Sequence, residues 1–144
     1  LLENLYDLTM EENELTGTLP ESIVKLAALK FLDLDHNKLV GTIPEGLYDL
    51  QYIWALDLDS NHLTGTISTR IGQLEDLYIA QFDGNNMTGS IPSEIGALTN
   101  LGYLTLSGNA FNGAGIPQEV CDNQAKVYAG CDNCKIENCC ADCL

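Results

Sequence analysis

Asn13, Asn37, Asn61, Asn85 and Asn109 stand 24 residues apart, five copies without slippage. Around each asparagine the same frame recurs. Leu8, Leu32, Leu56, Ala80 and Leu104 lie five residues before it, and Met10, Leu34, Leu58, Phe82 and Leu106 three before. Two residues after it come Leu15, Leu39, Leu63, Met87 and Phe111, and four after it Gly17, Gly41, Gly65, Gly89 and Gly113. A fixed period of this length marks a repeat architecture. One copy cannot bury its own leucines, so stacked copies must share a continuous core.

Each Leu-x-Leu alternates apolar with polar, which predicts a short strand whose leucines point one way and whose intervening residues point the other. The asparagines fall at the turn after each strand. A buried amide without partners costs a few kcal/mol (about 2 to 7). Stacked at equal height, however, the asparagines can bond the backbone of adjacent coils. Glycine suits a bend that needs positive φ, and proline presets φ at the start of the following segment. That proline comes in Leu19-Pro20, Ile43-Pro44 and Ile91-Pro92, with Ile67-Ser68 as the exception. In the fifth copy Gly115 is inserted, and Ile116-Pro117 arrive one residue late.

The frame LxxLxLxxNxLxGxIPxxLxxL resembles the plant-type leucine-rich repeat family over residues 1–120. The resemblance implies an α/β fold: a right-handed solenoid of about five 24-residue repeats, with a parallel sheet on the concave face and 3₁₀ or irregular segments outside. Residues 121–144 form a cysteine-rich segment expected to cap the open core where a sixth copy breaks off. Such a close resembles the caps of secreted leucine-rich repeat proteins, notably algal ones. No cysteine cap precedes the first copy. The chain begins at Leu1 in mid-repeat, which reads as a processed or partial chain with an exposed leading strand.

The formal charge is −15, from 21 acidic and 6 basic residues. That disfavours nucleic acid and anionic membranes as partners and favours basic proteins or cations. No run of 18 apolar residues offers a membrane span. All six cysteines (Cys121, Cys131, Cys134, Cys139, Cys140 and Cys143) crowd the last 24 residues. An even number packed so closely reads as a disulfide knot formed in an oxidising compartment. Zinc is the rival for the two CxxC pairs, but their five-residue interval is short for a zinc ribbon, and two cysteines would be left over.

With the frame set aside, the residues facing out from the strands carry the functional information. Tyr6, Trp54 and Tyr78 fall in one column interrupted by Lys30, with Phe31 and Tyr103 beside it. Grouped exposed aromatics are the usual anchors of a binding surface. An opposite column is acidic: Glu11, Asp35, Asp59 and Asp83, with Asp33 and Asp57 one pleat away. Like charges stacked about 4.8 Å apart repel by on the order of 1 kcal/mol per pair even in water. A basic partner or calcium would relieve that, and an Asp two residues before the Asn, as at Asp35, Asp59 and Asp83, is also expected to accept turn amides. No resident cofactor is expected.

Thr16, Thr18, Thr42, Thr64, Thr66, Thr88 and Ser90 make a flanking array that resembles the grids of β-solenoid ice-binding proteins, with Val40 as a gap. Asn86-Met87-Thr88 is a glycosylation sequon. His36 and His62 have no nucleophile partner at hand in sequence, and no phosphate-cradling or zinc-protease motif is present, so no catalysis is expected. The reading is a secreted recognition module for a protein, peptide or cell-wall glycan. The family resemblance implies the same, as in receptor ectodomains and polygalacturonase inhibitors. The rivals are a structural subunit that self-associates through its uncapped N-terminal edge and, less so, an ice-binding protein.

Overall fold

A computed structural model describes residues 2–112, 115–123 and 125–128. Each of the first five coils contributes two short strands, and among the described residues a sixth contributes one. They are β1 (Asp7–Thr9) and β2 (Thr16–Gly17), β3 (Phe31–Asp33) and β4 (Lys38–Gly41), then β5 (Ala55–Asp57) and β6 (His62–Gly65). Next come β7 (Ile79–Gln81) and β8 (Asn86–Gly89), β9 (Tyr103–Thr105) and β10 (Ala110–Phe111), and finally β11 (Lys126–Tyr128).

The odd-numbered strands form one parallel six-stranded sheet in chain order. Its register follows the repeat: Leu8 pairs with Leu32, Leu32 with Leu56, Leu56 with Ala80 and Ala80 with Leu104. The last step is 23 residues, from Leu104 to Val127, so a sixth strand lies beyond residue 120 although its coil lacks the full frame. Ahead of it a short helix, α1 (Gln118–Asp122), takes the place that 3₁₀ turns occupy in the other coils.

Those 3₁₀ turns span Glu21–Lys25, Glu45–Asp49, Thr69–Gln73 and Ser93–Ala97. Pro20, Pro44 and Pro92 precede three of them at φ −80°, −69° and −70°. Ser68, the exception in sequence, adopts φ −69° and its hydroxyl accepts the Arg70 N–H at 3.3 Å. A side-chain cap there does what the pyrrolidine ring does elsewhere.

The leucines point inward as the alternation requires: Leu34 is 3% exposed, and Leu58 and Leu106 are 0% exposed. The asparagine ladder runs beside them. Asn61 Nδ2 donates to Leu34 O (2.9 Å), Leu58 O (3.3 Å) and Asp59 O (3.0 Å), while its Oδ1 accepts Leu39 N–H at 3.0 Å. Asn37, Asn85 and Asn109 repeat that pattern on their own coils. Asn13 is exposed, and Met10 O and Glu11 O of its own coil accept from it.

The flank is more regular than the resemblance implied. β2, β4, β6, β8 and β10 form a second parallel sheet, which carries the threonine array. Gly17, Gly41, Gly65 and Gly89 end its strands at φ 80–86° and turn the chain away. The methyls of Thr18, Thr42 and Thr66 lie against the glycine of the next coil, so part of the array is packing.

Cys121 is half-buried against the end of the core, and the other five cysteines lie outside the described residues. Among the described residues no helix is long and apolar enough to cross a membrane.

Candidate functional site

Parallel pairing in register brings equivalent residues of successive coils side by side, and the outward positions of the six-stranded sheet become columns. The aromatic column is a run of touching rings. Phe31 tilts against Trp54 at 5.6 Å between centroids, and Trp54 stacks on Tyr78 at 5.0 Å and 14°. Tyr78 then meets Tyr103 edge-on at 5.9 Å and 72°. The Lys126 ammonium closes the row 5.3 Å from the Tyr103 centroid. Sequence spacing placed Phe31 and Tyr103 beside the column, but their rings reach into it. Tyr6, 60% exposed, lines the adjoining groove instead.

That groove, of about 1150 Å³, lies along the edge where the strands begin. Tyr6, Lys30, Phe31, Trp54 and Tyr78 line it, as does a row of loop residues that outward strand positions do not predict: Tyr52, Asp76, Asn100 and Asn123. A signal for them existed. Tyr52, Asp76 and Asn100 are themselves 24 residues apart, and Asn123 follows Asn100 by the same 23-residue step that brings in β11. Asn123 Nδ2 also reaches Leu98 O at 2.6 Å, tying the groove's end to the last full coil.

The acidic column departs from expectation in two ways. Asp59, expected to face solvent, is 7% exposed, with its carboxylate accepting the Ser60 hydroxyl at 2.7 Å. The turn amides are taken by the other aspartates: Asp33 Oδ1 accepts Asp35 N–H at 3.3 Å, and Asp57 Oδ1 accepts Asp59 N–H at 3.2 Å. The reason is the backbone of the turn. His36 and Ser60 are left-handed (φ 47° and 50°), and it is the strand's last residue, not the turn's, whose carboxylate meets the amide two residues on.

Two of these carboxylates and the neighbouring histidine are shifted upward. Burial, and then a hydrogen bond with Asp59, push Asp57 up to about 8 from the ordinary 3.8. A hydrogen bond with Asp33 raises exposed Glu11. Asp35, whose Oδ2 lies 3.0 Å from His36 Nδ1, raises the histidine. Asp83 accepts the Thr105 hydroxyl. Two groups bring ligand atoms within 4.8 Å of one another: Asp35, His36 and Asp59, and Glu11, Asp33 and Asp35. Asn86, the sequon residue, is exposed at the start of β8.

A family model described as leucine rich repeat matches residues 3–63. No curated protein sequence matches the chain. Among solved structures, the Arabidopsis HAESA receptor kinase ectodomain, in complex with an N-terminally extended IDA peptide hormone, is 34% identical with a TM-score of 0.83. The match covers 87% of this chain and 21% of that one. The ectodomain of GASSHO1/SCHENGEN3 from the same plant, solved with CASPARIAN STRIP INTEGRITY FACTOR 2, is 31% identical at TM-score 0.78, covering 86% of this chain and 15% of that one. A chain of the Arabidopsis thaliana BIR3–SERK2 complex is 32% identical at TM-score 0.76, and there the match covers 85% of this chain and 72% of that one. This chain therefore spans a small part of the two large ectodomains and most of the chain from the BIR3–SERK2 complex.

Proposed function

The chain belongs to the leucine-rich repeat family, and on that premise we propose that it is a non-enzymatic extracellular recognition module whose concave face binds a protein or peptide. The observation that carries the reading is the continuous row Phe31–Trp54–Tyr78–Tyr103 beside an open groove. Rings held rigid by one another lose little entropy on binding and make good anchors. Tyr6 and Lys30 extend the surface toward the first coil. Asp33, Asp35, Asp57, Asp59 and Asp83 set a negative flank that steers and orients a basic partner. A similar ectodomain solved with a peptide hormone, and a similar chain solved in a two-protein complex, support that class of partner. An extracellular place is supported by the likeness to ectodomains, by the exposed Asn86 sequon and by the clustered cysteines.

The test is to pan a random peptide library against the intact chain and to measure the recovered peptides on wild type and Trp54→Ala. Loss of an anchor ring should weaken binding by roughly tenfold or more, about 1.4 kcal/mol. Equal affinity for both would remove the concave face from the reading.

A second reading, association through the outer side of β1, has its own support. Leu8, Met10, Leu15 and Leu26 line an apolar hollow of about 340 Å³ on that side. Sizing the protein in solution at several concentrations tests it, and a monomer throughout would dismiss it.

A further inference from the structure

The column bearing Tyr6, Lys30, Trp54 and Tyr78 loses its side chain at the next rung, Gly102. A Cβ there would lie 2.5 Å from Tyr78 Cε2 and Cζ and 2.9 Å from its hydroxyl oxygen, inside van der Waals contact. Gly102 is not among the residues at positive φ, unlike Gly41, Gly65 or Gly108, so its backbone makes no demand for glycine. Bare backbone at this rung serves the ring of Tyr78. The phenol lies between Gly102 on one side and the Trp54 indole, 5.0 Å away and nearly parallel, on the other. Trp54 meets Phe31 as well, and Tyr78 and Tyr103 pack in a T-shaped pair. One π-face of Trp54 is therefore covered by Tyr78, and Tyr78 is held between the indole and Gly102. Trp54 is 39% exposed and Tyr78 37% exposed. Ring rims are electropositive, and the indole N–H and phenol O–H add donors there.

We propose that Gly102 is a positioning residue of the concave site: it gives Tyr78 the berth from which it stacks on Trp54, and the resulting rim-outward row selects carbonyl-rich polypeptide over sugars that stack on open ring faces. The ligand-class half rests on the concave-face reading; the positioning half does not. A sugar ring docks its C–H face on an exposed aromatic face, which this row withholds. A peptide backbone supplies carbonyl acceptors in a repeating line, which the row of donors can meet.

Trp54 is the chain's single tryptophan, so its fluorescence reports the stack directly. Gly102→Ala should shift its emission to the red and increase quenching by acrylamide. On a Tyr78→Ala background the same substitution should change neither, because the ring it displaces is gone. Unaltered emission in G102A, or an equal change on both backgrounds, overturns the positioning role. If G102A alone fails to fold, recovery of the Y78A unfolding midpoint in the double variant supports the role, and failure of both counts against it. For ligand class, cellohexaose at millimolar concentration should leave Trp54 emission unchanged, and a saturable shift would overturn that half. If the stack is confirmed but peptide panning yields no binder, the concave-face reading falls while the role of Gly102 stands.

Discussion

The first coil and the third carry nearly the same frame in different surroundings. Leu8 is half-buried where Leu56 is 0% exposed, and Asn13 is exposed where Asn61 is 3% exposed. Asn61 bonds carbonyls on two coils and accepts an amide from a third segment, whereas Asn13 bonds its own turn. Gly17 has nothing within 4 Å of its missing Cβ, whereas the Cβ of Gly65 would meet the Thr42 methyl at 2.7 Å. What differs is one neighbouring coil: the third is flanked on both sides, the first only by the second. In a solenoid most of a residue's worth is an interface term with its neighbours.

Substitutions in matched pairs should expose that difference, read as shifts of the urea midpoint at constant slope. Leu56→Ala leaves a cavity in a closed core and should cost about 3 to 4 kcal/mol, against about 1 for Leu8→Ala. Equal costs would mean that the open side of β1 is covered in solution. Asn61→Ala strands three carbonyls and one amide and should cost about 3 kcal/mol, while Asn13→Ala stays near 0.5. Gly65→Ala combines left-handed strain with overpacking and should cost about 2 to 3 kcal/mol, against about 1 for Gly17→Ala, which carries the strain alone.

The smallest expected contrast is electrostatic. Asp57 binds its proton more tightly folded (about 8) than unfolded (3.8), so the folded state holds the extra proton between those values. Stability from this source is fully present below the unfolded value and is lost as pH rises toward 8. His36 and Glu11 are shifted in the same direction. Unfolding midpoints should therefore fall from pH 5 to pH 9, and Asp57→Asn should flatten that trend more than Glu11→Gln in the exposed first coil. A wild-type midpoint that rises with pH would contradict the upward shift of Asp57.

The fold was legible in the sequence because a 24-residue period fixes which residues stack, and the apolar positions at five and three before each Asn fix which side is core. The register of Leu8, Leu32, Leu56, Ala80 and Leu104 follows from counting alone. The site was legible in part. Trp54 and Tyr78 share a column by period, but counting backbone positions cannot say that Phe31 and Tyr103 lean their rings into that column. The loop residues Tyr52 and Asn100 obey the period too, yet they lie outside the strand, where spacing carries no direction. Ser68 broke the proline pattern in sequence and kept it in geometry, because a hydroxyl cap and a fixed φ meet the same need.

Sequence by itself determined the coil length, the inward face and the asparagine ladder, since each depends on repetition that any neighbouring coil satisfies in the same way. The tertiary structure alone decided how the outward side chains meet: the ring stack, the burial of Asp59 and the raised pKa of Asp57. Those depend on rotamers and packing across coils separated by a full turn of chain, where side-chain reach, not period, sets contact.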